Sequence, residues 1–126
     1  MRKILIIDDD AELIDSVKMI LDESGYSVIS ALNGVKGMER AKKDHPDLII
    51  LDVMMTNDSE GFEVARKLKE ESSTSKIPVI LLTGIKKAKG LPFSFEPDED
   101  WLPVKAVLEK PVKPEILLKS IKSAIG

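Results

Sequence analysis

Polar side chains suited to phosphoryl chemistry follow four short apolar segments of this chain. Asp8 and Asp9 come directly after the first segment, and Asp52 and Thr83 end the second and third. Lys110 follows the fourth segment. Carboxylate oxygens are hard ligands of the kind that Mg²⁺ prefers, and hydroxyl and ammonium groups can meet the charge of a phosphoryl group. The residue types therefore indicate a Mg²⁺-dependent phosphoryl site.

Each side chain has a candidate task in that chemistry. Asp8 and Asp9 are the candidate metal ligands, because one or two carboxylates suffice for Mg²⁺. Asp52 could also contact the metal, or act as a nucleophile and form an acyl phosphate. Lys110 supplies a cation and Thr83 a hydroxyl for the oxygens of the transferred group. Three neighbouring carboxylates repel one another, so we expect the metal-free site to be electrostatically strained.

The same residues also have ordinary structural explanations. Asp8 to Asp10 could cap the first helix. Asp52 and Thr83 could be polar residues at strand ends, and Lys110 could be a solvated surface lysine. Their joint occurrence at the ends of four separate apolar segments favours the functional interpretation.

The elements that must position these residues alternate along the chain, as in a parallel sheet covered by helices. The predicted strands span 4–7, 27–31, 48–51, 79–82 and 106–108, and the predicted helices span about 11–23, 33–43, 60–71 and 114–125. Ligands of such sheets bind outside the carboxyl ends of the strands, where the candidate residues would meet. Proline and glycine interrupt 85–105, so any fourth helix there must be short or irregular.

The composition is that of one soluble domain, which we predict over residues 1–126. Hydrophobic residues make up 43% and charged residues 33%. The net charge of −3 does not indicate a basic surface for binding nucleic acid or an anionic membrane. The absence of cysteine excludes disulfides and thiolate metal sites. No apolar segment has the length of a signal peptide or a membrane span, so we expect a cytoplasmic location.

Five segments together resemble the receiver domain of bacterial two-component response regulators, over residues 4–125. The segments are Ile4–Asp10, Pro46–Met55, Gly61–Val64, Ile80–Gly84 and Leu108–Pro111. The resemblance implies an α/β flavodoxin-like fold. This fold is a three-layer sandwich with a five-stranded parallel sheet in the order 2-1-3-4-5.

The resemblance also implies roles for the site residues. Asp52 would accept a phosphoryl group from the phosphohistidine of a sensor histidine kinase or a phosphotransfer protein. Asp8 and Asp9 would hold Mg²⁺ together with Asp52 and the backbone carbonyl of Met54. The implied phosphoryl ligands are Thr83 and Lys110. Such a protein catalyses only its own phosphoryl transfer and dephosphorylation, so we do not expect an enzyme that turns over a metabolite.

The chain departs from the family pattern around the site. Val107 stands where the family has an aromatic residue, so an aromatic rotamer switch cannot operate there. The segment 85–105 is longer than usual and poorly helical, which predicts a remodelled output surface. Met54 and Ile85 occupy the two positions that tune hydrolysis in the family, and both are apolar. Because neither can orient a water by hydrogen bonding, we expect slow self-dephosphorylation.

Two other functions remain open from the sequence. A pseudo-receiver would act as an interaction module without phosphorylation, which the intact candidate residues argue against. A Mg²⁺-dependent aspartyl phosphohydrolase commonly carries a second acid two positions after its nucleophile, where this chain has Met54. His45, the only histidine, is predicted to lie at the surface, away from Asp52. The sequence does not identify the output partner, the oligomeric state, or whether the chain is a fragment of a larger regulator.

Overall fold

The computed structural model describes residues 2–52, 60–83, 106–109 and 113–125. In chain order the elements are β1 (Lys3–Ile7), α1 (Ala11–Glu23), β2 (Ser27–Ala31), α2 (Gly34–Asp44), β3 (Leu48–Asp52), α3 (Glu60–Glu70), β4 (Val79–Thr83), β5 (Ala106–Glu109) and α4 (Pro114–Ile125). The bounds predicted from the sequence agree with these to within one residue.

The five strands form one sheet in the order β2-β1-β3-β4-β5, and every pair of neighbours is parallel. Residues 4–7 and 48–51 are completely buried, because β1 and β3 lie inside the sheet with helices on both faces. Strands covered on both faces are continuous apolar runs rather than alternating ones. The predicted flavodoxin-like sheet is therefore confirmed.

Side chains that alternate along the central strands divide the core into two layers. On one face, Leu5 and Leu51 pack with residues of α2 and α3, such as Ala41 and Leu68. On the other face, the even-numbered residues of β1 and β3 pack with residues of α1 and α4. Those even-numbered residues and their helical partners are Ile4, Ile6, Leu48, Ile50, Val17, Leu21, Leu117 and Ile121. A sheet between two helical layers is the predicted three-layer sandwich.

The helix α2 is defined at both ends by local chemistry. Asn33 is its N-cap, and its Oδ1 accepts a hydrogen bond of 2.9 Å from the backbone N–H of Lys36. His45 is its C-cap in the left-handed conformation, with a φ of 48°. Pro46 then prevents the helix from continuing. His45 is exposed, as the sequence predicted, and it precedes β3, whereas Asp52 ends that strand.

A close approach between α2 and β1 requires a glycine. A Cβ added at Gly37 would lie 2.7 Å from Cγ1 of Ile7 and would also collide with Cδ1 of that side chain. Gly37 therefore lets α2 pack directly over the end of β1. Ile7 precedes Asp8 in the chain, so this packing supports the strand end that carries the first acidic residue.

Several predictions fall on parts of the chain outside the described residues. They concern the fourth helix within 85–105 and the roles of Met54, Ile85 and Lys110. The single domain over 1–126 also stays a prediction. Within the described part of the chain, no helix combines the length and the apolar character needed to cross a bilayer. The cytoplasmic location stays a prediction too.

Candidate functional site

Two buried carboxylates lie side by side at the carboxyl edge of the sheet. Ile7 of β1 is in register with Leu51 of β3, so the residues that follow, Asp8 and Asp52, occupy equivalent positions on neighbouring strands. Asp8 is 1% exposed and Asp52 is 3% exposed. Charged groups are rarely buried to this degree without a specific partner or function.

Asp9 completes a group of three carboxylates. One oxygen each from Asp8, Asp9 and Asp52 lies within 4.8 Å of the other two. Asp9 is exposed, whereas the other two are buried, so the group has an inner side formed by protein and an outer side open to solvent. A hard cation that keeps several waters, such as Mg²⁺, matches three carboxylate oxygens and an open side. The donor set therefore fits the metal that the sequence predicted.

Two hydrogen bonds fix Asp8, the residue that follows β1. The backbone N–H of Asp8 donates to the carbonyl of Ala31 over 3.1 Å and extends the ladder between β1 and β2 by one residue. Oδ1 of Asp8 accepts a hydrogen bond of 2.9 Å from the backbone N–H of Asp10. The buried carboxylate of Asp8 is thus hydrogen-bonded to Asp10, the residue just before α1.

The three consecutive aspartates have different surroundings. Asp8 and Asp9 join Asp52 in the carboxylate group. Asp10 is the N-cap of α1, and its side chain accepts hydrogen bonds from the backbone N–H groups of Glu12 and Leu13. The capping explanation and the metal-site explanation of this run therefore apply to different residues. The sequence predicted Asp8 and Asp9 as the metal ligands but did not single out Asp10 as the cap, although an aspartate just before an amphipathic helix is a typical cap.

Thr83 ends β4, the strand next to β3. Asp52 is in register with Leu82, so the backbone of Thr83 lies one residue beyond the level of Asp52 at the same edge of the sheet. Glu109 ends β5 opposite Thr83, and Lys110 is the next residue of the chain. The side chain of Thr83, Lys110 and Met54 lie outside the described residues, so their predicted roles stay predictions.

The sheet order and the acidic group at its carboxyl edge agree with the comparisons with known proteins. A family model described as "Response regulator receiver domain" matches residues 4–122. This chain belongs to the response regulator receiver domain family. The family assignment predicted from five short segments is therefore confirmed.

Curated relatives of this receiver domain differ in length. Protein PilH of Pseudomonas aeruginosa is 32% identical, and the match covers 100% of this chain and 99% of PilH. The DNA-binding dual master transcriptional regulator RpaA of Synechocystis is 34% identical over 99% of this chain, which spans only 49% of RpaA. The family thus includes both proteins of about this length and regulators about twice as long.

Solved structures share the fold over nearly the whole chain. A CheY-like receiver domain protein from Methanospirillum hungatei has a TM-score of 0.81 at 30% identity, covering 99% of this chain and 94% of that one. The chemotaxis response regulator CheY4 of Vibrio cholerae has a TM-score of 0.83 at 28% identity, covering 98% of each chain. These likenesses support the three-layer arrangement described above.

Proposed function

We propose that this receiver domain is a phosphorylation-dependent signalling switch that accepts a phosphoryl group on Asp52. One observation carries the proposal: Asp52 is buried at the carboxyl end of a central strand, with an oxygen within 4.8 Å of oxygens from Asp8 and Asp9. The donor would be a phosphohistidine of a sensor histidine kinase or a phosphotransfer protein.

The proposed transfer is an in-line displacement at phosphorus. A carboxylate oxygen of Asp52 forms the new bond to phosphorus while the bond between phosphorus and the histidine nitrogen breaks, and its electron pair returns to the imidazole. Asp8, Asp9 and Asp52, with the backbone carbonyl of Met54, would hold Mg²⁺. When bound, Mg²⁺ supplies positive charge that offsets the carboxylates and the phosphoryl oxygens.

The remaining contacts to the phosphoryl group come from the neighbouring strand ends. We assign Thr83 as a hydroxyl donor and Lys110 as a cation, on the basis of the positions that they hold in the family pattern. Burial of Asp52 limits the access of water to the acyl phosphate. The apolar residues Met54 and Ile85 would limit it further, so the protein's own dephosphorylation is proposed to be slow.

Chemical phosphorylation of the purified protein tests the proposal directly. With Mg²⁺ and acetyl phosphate, we expect one phosphoryl group per chain by intact-protein mass spectrometry, and none with Asp52→Asn. The matched control is Asp47→Asn, which changes an aspartate just before β3 rather than at its end. Asp47 accepts a hydrogen bond from the backbone N–H of Lys3, which asparagine can also accept, so this variant should be labelled like the wild type.

Two outcomes would contradict the proposal. Full labelling of Asp52→Asn would place the acceptor elsewhere, and no labelling of the wild type would favour a module that needs no phosphorylation. Decay of the labelled protein in Mg²⁺ then measures the persistence of the signal. A lifetime of seconds would refute slow dephosphorylation while leaving the acceptor assignment intact.

A further inference from the structure

Asp10 is fixed to the first turn of α1 by both its side chain and its main chain. Its Oδ1 accepts hydrogen bonds from the backbone N–H groups of Glu12 at 3.0 Å and Leu13 at 3.2 Å. Its carbonyl oxygen accepts a hydrogen bond of 3.1 Å from the backbone N–H of Ile14. The conformation of Asp10 is therefore fixed by contacts to the start of the helix.

The backbone of Asp10 also reaches back to the carboxylate group. The backbone N–H of Asp10 donates to Oδ1 of Asp8 over 2.9 Å. Asp8 is 1% exposed, so water competes little for this hydrogen bond. A hydrogen bond from a backbone N–H to an ionised carboxylate is short and strong. It fixes one oxygen of Asp8 and thereby restricts the rotation of the whole carboxylate.

We propose that Asp10 is a positioning residue for the metal site. By capping α1, Asp10 directs its own N–H at Asp8 and so orients the carboxylate of Asp8 relative to Asp9 and Asp52. The inference rests on the proposed function, in which these three carboxylates hold Mg²⁺. Groups that orient a metal ligand without touching the metal commonly change the metal affinity by about 10- to 100-fold.

Variants of Asp10 separate the effect of its helix cap on Mg²⁺ affinity from the effect of its negative charge. Asp10→Ala removes the cap and the negative charge, and we expect the dissociation constant for Mg²⁺ to rise about tenfold. Asp10→Asn and Asp10→Ser remove the charge but keep an oxygen that can cap the helix. These two variants should recover most of the affinity that Asp10→Ala loses, because the N–H of residue 10 still points at Asp8.

A second helix cap supplies the matched control. Asn33 caps α2 through one hydrogen bond to the backbone N–H of Lys36, and Asn33 does not belong to the carboxylate group. Asn33→Ala should lower the thermal stability about as much as Asp10→Ala, since both remove a side-chain cap. It should leave the dissociation constant for Mg²⁺ unchanged.

The experiment measures Mg²⁺ binding by calorimetric titration at a temperature where circular dichroism shows every variant to be folded. The expected dissociation constants rise from the wild type and Asn33→Ala, through Asp10→Asn and Asp10→Ser, to Asp10→Ala. Wild-type affinity in Asp10→Ala would overturn the inference. So would asparagine and serine variants as weak as the alanine variant, or an equal loss of affinity in Asn33→Ala.

A metal-free measurement keeps this inference separate from the proposed function. The carboxyl carbon resonance of Asp8 should shift in Asp10→Ala, and it should shift less in Asp10→Asn, without added metal. If the wild type binds no Mg²⁺ but this pattern appears, the proposed function fails and the positioning role stands. If the resonance of Asp8 is the same in all variants, the positioning role fails whatever the metal affinity.

Discussion

The two edges of the sheet use acidic residues in opposite ways. At the amino edge, charged side chains pair with backbone groups: Asp47 Oδ2 accepts a hydrogen bond of 2.8 Å from the N–H of Lys3, and Nζ of Lys3 donates to the carbonyl of Asp44 over 3.1 Å. Arg40 Nε also lies 2.9 Å from Asp44 Oδ2. The two contacts of Lys3 connect the start of β1 to α2 and to the start of β3.

At the carboxyl edge, like charges gather instead. Asp8, Asp9 and Asp52 place three carboxylate oxygens within 4.8 Å of one another, and two of the three residues are buried. Like charges repel strongly at short distance in a partly buried site, so this arrangement opposes folding and favours the binding of a cation. Charged groups that are paired with hydrogen-bond partners stabilise a fold, whereas gathered like charges are typical of a binding site.

The largest expected effect is stabilisation of the fold by Mg²⁺, which should bind at the carboxyl edge only. At a Mg²⁺ concentration about 100 times the dissociation constant, we expect the free energy of unfolding to rise by about 2.7 kcal/mol. Asp47→Asn, at the amino edge, should keep this gain, and Asp8→Asn, at the carboxyl edge, should lose most of it. Urea denaturation with and without Mg²⁺ measures both. Equal gains in the two variants would mean that Mg²⁺ binds somewhere else.

A smaller effect is expected when the repulsion among the three carboxylates is reduced. In the absence of divalent metal, Asp52→Asn should raise the free energy of unfolding by about 1 kcal/mol, since it removes one of three like charges from a functional site that is not optimised for stability. Asp47→Asn should give no such gain, because Asp47 does not belong to the carboxylate group. Urea denaturation in the presence of a chelator is the measurement. A destabilised Asp52→Asn would show that its other contacts outweigh the repulsion.

The sequence predicted the fold well because burial leaves a clear pattern. Residues 4–7 and 48–51 are continuous apolar runs, and only a strand covered on both faces of a sheet combines this pattern with such a short length. The end of α2 at His45 could be predicted equally well, since Pro46 prevents the helix from continuing. Each of these features depends on residues that are neighbours in the chain.

The site was predictable in outline but not in detail. Polar residues at strand ends identified the edge where Asp8 and Asp52 meet, because parallel strands bring their carboxyl ends together. The sequence predicted Asp8 and Asp9 as metal ligands but did not identify which of the three consecutive aspartates caps the helix. The turn between β1 and α1 decides that Asp8 and Asp9 join Asp52 while Asp10 caps the helix. The roles of Thr83 and Lys110 stay predictions.

The smallest expected effect lies at the amino edge and should not reach the site. His45 has a φ of 48°, a conformation that costs a residue with a side chain about 1–2 kcal/mol and costs glycine almost nothing. Glycine also loses about 0.4–1 kcal/mol through the greater freedom of the unfolded chain. His45→Gly should therefore raise the free energy of unfolding by about 0.5 kcal/mol, measured by urea denaturation, and leave the affinity for Mg²⁺ unchanged. A change in that affinity would show that the two edges are coupled through β3, contrary to the separation of a stabilising edge from a binding edge.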